Sequence, residues 1–165
     1  MQFVRARRLA ATLAMAGGIL VLPSAAAGGT LKSTVLNAPT KTFSFIASPG
    51  SRTATIINID GLLVNARCNP AGAPVVFAFS SASAGDILGR VFDGIGRILV
   101  IHNTQFNNRS RGILISPSSY DYDATGTVIF ENIDGRVVQV TYAADNSTTL
   151  NFRRVCTVYG TLVAT

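Results

Sequence analysis

The sequence predicts an all-β domain: an antiparallel β-sandwich or barrel of about nine or ten strands built from hairpins. Three observations lead there. Thr, Val, Ile and Phe abound, while helix-favouring Glu, Lys and Gln are scarce, with one glutamate (Glu131) and no tryptophan in 165 residues. Asp-Gly pairs stand between apolar runs at Asp60-Gly61, Asp93-Gly94 and Asp134-Gly135. Such pairs mark tight hairpins because a type I′ turn needs positive φ at both central residues. Finally, no 3.6-residue apolar period survives beyond the N-terminal leader.

That leader comes first in the chain. Arg5, Arg7 and Arg8 precede an uncharged run from Leu9 to Leu22, followed by Pro23, Ser24 and the small residues Ala25-Ala26-Ala27-Gly28. This order is that of a secretory signal peptide, residues 1–27, cut before a single all-β domain over 28–165. The apolar run is short for a bilayer span, which needs about 20 residues. Extended to Ala27 it reaches 19 residues, so retention as an N-terminal anchor is the alternative. The expectation is a secreted or cell-surface protein that meets the membrane only in transit.

Removing the leader changes the charge. The chain has 14 basic and 8 acidic residues, and three of the basic ones leave with the leader. The remaining 11 against 8 give a mildly basic domain with no clustered stripe, so nucleic acid is not expected as a partner. Charged residues make up only 13% of the chain, about half the usual share, so Ser, Thr, Asn and Gly must supply much of the surface.

The strands follow in order. Residues 41–47 alternate, with Phe43 and Phe45 on one face, and Pro49-Gly50 turns the chain. Residues 53–59 and 62–68 flank Asp60-Gly61. If Ile59 pairs with Leu62, then Ile57 faces Val64, Thr55 faces Ala66 and Thr53 faces Cys68, which points Cys68 inward. The same register at Asp93-Gly94 groups Ile87, Val91, Ile98 and Val100 on one apolar face. It also sets Arg90 beside Arg97, a repulsive pair that needs a carboxylate, solvent or a ligand anion. Asp134-Gly135 joins Thr127–Phe130 to Val137–Val140. Residues 148–154 and 155–164 end the chain, with Cys156, Val158, Gly160 and Leu162 on one face. Asn58-Ile59-Asp60-Gly61 and Asn132-Ile133-Asp134-Gly135 are one tetrapeptide used twice.

Cys68 and Cys156 are the only cysteines. In an exported chain the simplest expectation is one disulfide joining an early strand to the last.

Candidate chemistry is sparse. His102 is the sole histidine, with no G-x-S-x-G elbow and no local carboxylate to orient it. One histidine and a bridged cysteine pair do not make a zinc site. No cofactor is expected. Asp121 and Asp123, with Glu131 and Asp134, are the acids available for glycosidase-type work, so a small hydrolase is the least favoured reading. Asp121-Tyr122-Asp123-Ala124-Thr125-Gly126 matches the first half of a calcium loop, but the twelfth position is Asn132 rather than Glu. A polar turn entering a strand is expected there, with Asp121, Asp123 and Thr125 as the calcium alternative.

The candidate ligand surface is the loop 102–111. It offers His102, Asn103, Gln105, Phe106, Asn107, Asn108, Arg109 and Arg111, with Tyr120 and Tyr122 in the next loop. Amides with an aromatic platform suit sugars, and arginines suit anionic polymers.

Thr53-Ala54-Thr55-Ile56 through Asp60-Gly61-Leu62 to Cys68, with Cys156 and Tyr159-Gly160-Thr161, resembles a group of uncharacterised secreted actinobacterial β proteins. The resemblance implies an exported all-β domain and no particular activity. The function expected is therefore a non-enzymatic exported β module with a structural or surface-interaction role. The alternative is a carbohydrate- or polymer-binding module using 102–111, its partner an extracellular glycan or protein.

Overall fold

The computed structural model describes residues 39–116, 123–146 and 154–165. Among these, ten strands form: β1 (Thr40–Ala47), β2 (Ala54–Ile59), β3 (Leu62–Cys68), β4 (Pro74–Ser80), β5 (Gly85–Asp93), β6 (Ile98–Asn103), β7 (Ile113–Leu114), β8 (Ala124–Asn132), β9 (Val137–Asp145) and β10 (Cys156–Ala164). A six-stranded sheet ordered β1-β10-β9-β8-β5-β6 packs on a four-stranded sheet ordered β2-β3-β4-β7. All pairings are antiparallel. The sheets do not close on each other, so the sandwich forms and the barrel does not. The leader (1–27), residues Tyr120, Asp121 and Tyr122, and most of the 148–154 segment lie outside the described residues.

Alternation builds the core. Leu62, Val64, Ala66 and Cys68 of β3 point inward, as do Cys156, Val158 and Leu162 of β10 and Val128 and Phe130 of β8. Phe43 and Phe45 of β1 pack against the same cluster. Burying each large apolar side chain stabilises the fold by roughly 1.5–3 kcal/mol. Cys68 and Cys156 are disulfide-bonded with Cα atoms 5.5 Å apart. The bridge joins the end of β3 in one sheet to the start of β10 in the other.

The three Asp-Gly hairpins are not alike. Asp60 (φ 47°) and Gly61 (φ 92°) make the expected two-residue turn, with Ile59 opposite Leu62 and Ile57 opposite Val64. The expected register then fails: a bulge between Thr55 and Ile57 puts Thr55 opposite Asn65 and Ala54 opposite Ala66. The other two hairpins use three-residue loops, with Gly96 and Gly135 in the left-handed region at φ 86° and 75°. In one, Asp93 Oδ1 accepts from the N–H groups of Ile95 (3.2 Å) and Arg97 (2.7 Å). In the other, Asn132 Oδ1 accepts from Asp134 (2.9 Å) and Arg136 (3.0 Å) in the same positions.

Hence the repeated tetrapeptide folds two ways, and burial decides which. A two-residue turn at 134–135 would set buried Phe130 opposite exposed Gln139; the longer loop sets it opposite buried Val138. At 60–61 the short turn is the one that pairs apolar residues. A one-residue slip would move every side chain to the other face.

The two copies also meet in space. Asn132 Nδ2 donates to the Asp60 carbonyl at 3.1 Å, and Arg136 pairs with the Asp60 carboxylate at 2.7 Å. Exposed ion pairs contribute little, but Asn132 is buried and makes three bonds. Asn132→Ala is expected to cost about 1–2 kcal/mol, read as a lower urea midpoint at unchanged slope.

The hairpin at 93–97 overturns an expectation with functional weight. Its longer loop places Arg90 opposite Val100 and Phe92 opposite Ile98, so Arg90 and Arg97 never oppose each other. It also reverses β6. Ile98 and Val100 do not join Ile87 and Val91 in the core; they face outward, 57% and 67% exposed, while Ile101 is buried.

Candidate functional site

The expected loop surface is only partly available. Phe106 is fully buried, edge-on to Phe130 at 6.0 Å between ring centres, and so is not an exposed platform. Its N–H donates to the Gly85 carbonyl at 2.9 Å, and that of Asn108 to Ala82 at 2.7 Å. The amides hold the loop itself. Asn103 Oδ1 accepts from the Gln105 N–H at 2.8 Å. Asn107 Oδ1 accepts from the Arg109 N–H at 2.9 Å, and Asn107 Nδ2 donates to the Gln105 carbonyl at 2.9 Å. These are the local side-chain to backbone bonds that short polar residues favour in loops. Asn108, Arg109 and Arg111 are exposed. His102, Asn103 and Gln105 come together in a groove of about 510 Å³ beside β6, with Ile113 and Leu114 opposite.

Of the calcium alternative, Asp123 and Thr125 are among the described residues. Thr125 points out from the sheet face. Asp123 lies beside Asp145, whose carboxyl is held above its ordinary range by partial burial and then by Asp123 itself. Among the described residues no three His, Cys, Asp or Glu side chains gather as a metal set.

A larger recess than the one beside β6 lies on the outer face of the six-stranded sheet. It is an open groove of about 790 Å³, within the usual range for ligand sites. Register assembles it from four strands. Tyr159 of β10, Ala143 of β9, Thr125 of β8 and Phe92 of β5 stand in one row across the sheet. Thr161, Thr141, Thr127 and Arg90 stand in the next. Tyr159 makes one bank, and Phe92 with Arg90 the other; small side chains floor the trough between them. Thr127 and Thr141 hydroxyls lie 3.3 Å apart. Arg90 and Thr127 also line an adjoining groove of about 430 Å³ with Leu88, Val100 and His102.

Tyr142 lies beneath the floor. Its ring lies on the inner side, flanked by Gly126 and Gly160 on the two neighbouring strands, and its hydroxyl donates to the Ile115 carbonyl. A Cβ at Gly126 would meet the Tyr142 hydroxyl at 2.8 Å, and one at Gly160 would meet Tyr142 Cα at 2.8 Å. Glycine at 126 leaves room for the ring, and glycine at 160 for the β9 backbone and Phe43. Burial raises the Tyr142 phenol well above its ordinary pKa, so it stays neutral and serves packing.

Of the groove residues the sequence marks Thr125, as a calcium alternative, and Arg90, as a guanidinium in need of a counter-charge; the lining is scattered from 90 to 161 and nothing in the sequence joins it. The available signal is a set of outward threonines at alternate positions, Thr125 and Thr127 among them. No family model matches the chain, and no curated protein or solved structure is significantly similar to it.

Proposed function

We propose that this chain is an exported, non-enzymatic β module that acts by surface interaction, through the outer face of its six-stranded sheet. One observation carries the reading: that face holds an open groove banked by aromatic side chains, where a purely solvated face would carry charges and amides. Leu88, Phe92, Ile98 and Val100 extend the apolar surface beside it. Contiguous exposed apolar area of this kind marks interaction sites. Among the described residues the lining is threonine, glycine, alanine, aromatic rings and one arginine, a set suited to contact. Export is supported by the order of the leader and by a disulfide, which persists in oxidising compartments.

The test is co-sedimentation of the secreted protein with the insoluble envelope material of its own producing cells. The protein is expected to be retained, and the double variant Tyr159→Ala/Phe92→Ala to lose about 90% of that retention at an unchanged melting temperature, as for loss of two aromatic anchors. Equal retention by a folded double variant removes this face as the working surface. Intact mass beginning at Gly28 checks the export half of the reading.

A further inference from the structure

We propose that the sheet-face groove binds an extended glycan in which uronate units alternate with neutral sugars, one uronate carboxylate being held by Arg90. The inference rests on the outer face being the contact surface, and it names what that surface takes.

The shape comes first. Tyr159 and Phe92 stand three strand spacings apart, roughly 14 Å between backbones. That width admits one extended chain lying along β8 and β9. Tyr159 is 55% exposed and Phe92 45%. Their rings can cover the C–H faces of sugar units from either side, since an aromatic ring presents a large flat apolar surface. Between them the donors and acceptors are hydroxyls, from Thr125, Thr127, Thr141 and Thr161. A hydroxyl gives one proton and accepts on two lone pairs, the same repertoire that a polyol presents.

A peptide is the poorer fit. Strands β8, β9 and β10 are each paired on both sides, so their backbone groups are engaged in the ladders. An added strand needs an unpaired edge, and the trough lies in the middle of the sheet.

Charge selects among glycans. Among the described residues Arg90 is the only charged one in the groove lining, and it also borders the adjoining groove. Among the described residues the ion pair is Arg136 with Asp60, and no carboxylate pairs with Arg90. A guanidinium matches a carboxylate through two parallel N–H bonds. Acids stand beyond both ends of the trough. Asp123 and Asp145 adjoin the Thr125–Ala143 row, and Asp86 stands opposite Glu131 farther along β5 and β8. A dense polyanion would meet these groups with a charge on every unit, whereas a chain with carboxylates on alternate units meets them with half as many.

Titration calorimetry on the secreted protein tests this with four soluble probes. They are an octasaccharide of alternating glucuronate and N-acetylglucosamine, a neutral β-linked glucose hexasaccharide, heparin, and a polar peptide of similar length. The alternating uronate is expected to bind best. Arg90→Gln should weaken it about tenfold and leave the neutral probe unchanged, and Arg90→Lys should recover part of the loss, as for one charge-assisted pair. Raising the salt should weaken the uronate more than the neutral chain. Three results overturn the inference: no uronate binding by folded protein, equal binding by Arg90→Gln, or heparin or the peptide binding best. If the uronate fails but envelope retention still depends on Tyr159 and Phe92, only the glycan assignment falls. If retention is also unchanged in the double variant, the outer-face reading falls with it.

Discussion

Replacing both Cys68 and Cys156 with alanine is expected to remove roughly 4–5 kcal/mol of stability. The bridge closes a separation of 88 residues, and in the chain-entropy model a loop of that size restricts the unfolded chain by about this much. Total stability of such a domain is about 5–15 kcal/mol, so the variant sits near the edge of folding. The bridge also has a structural role. It is the covalent link between the two sheets, which otherwise hold together through side chains at their interface. Urea unfolding should show a midpoint lowered by about 2 M, given a slope of about 1–3 kcal/mol/M. Reduction of the native protein by dithiothreitol should reproduce the shift. A double variant within about 0.5 M of the native midpoint would show that the sheets need no staple.

Phe106→Ala should lower stability by about 3–5 kcal/mol, the usual effect of truncating a fully buried aromatic. The ring fills space against Phe130, and its backbone ties the 103–112 loop to Gly85. Removing it leaves a cavity beneath the loop, and hydrogen exchange at Gln105–Ser110 should quicken. Arg109→Ala, on the exposed rim of the same loop, should change stability by no more than about 0.5 kcal/mol. Calorimetry on folded Phe106→Ala at low temperature should show ligand affinity at the sheet face unchanged. Specific loss of affinity at full stability would return Phe106 to the role of a binding platform.

That contrast shows what misleads in a polar loop. The stretch His102–Arg111 has the composition of a binding surface. In the fold its one aromatic anchors the loop from below, while Asn103 and Asn107 bond the loop's own backbone. Composition counts donors and acceptors without saying which are already engaged. The groove has the opposite history. Phe92, Thr127, Thr141, Tyr159 and Thr161 are unremarkable singly, and they become neighbours of one another and of Arg90 only through the pairing of β5, β8, β9 and β10.

The hairpins draw the line more finely. Asp60-Gly61 and its first two pairs are legible, because a two-residue turn and apolar alternation agree there. The bulge at Ile56 is not, since no local residue demands it. Asp93-Gly94 is legible as a turn, but the loop is one residue longer than the pair suggests, and that residue turns Ile98 and Val100 outward.

Alternation and turn chemistry, read from the chain alone, determine an all-β domain of antiparallel hairpins. Two lone cysteines determine the bridge. These are local or combinatorial facts, settled by the pleat and by residue count. Tertiary structure decided the rest: sandwich over barrel, which turn each Asp-Gly pair adopts, and which outward residues share a groove. Each depends on side chains far apart in sequence competing for one interior, and a shift of a single residue there exchanges core for surface.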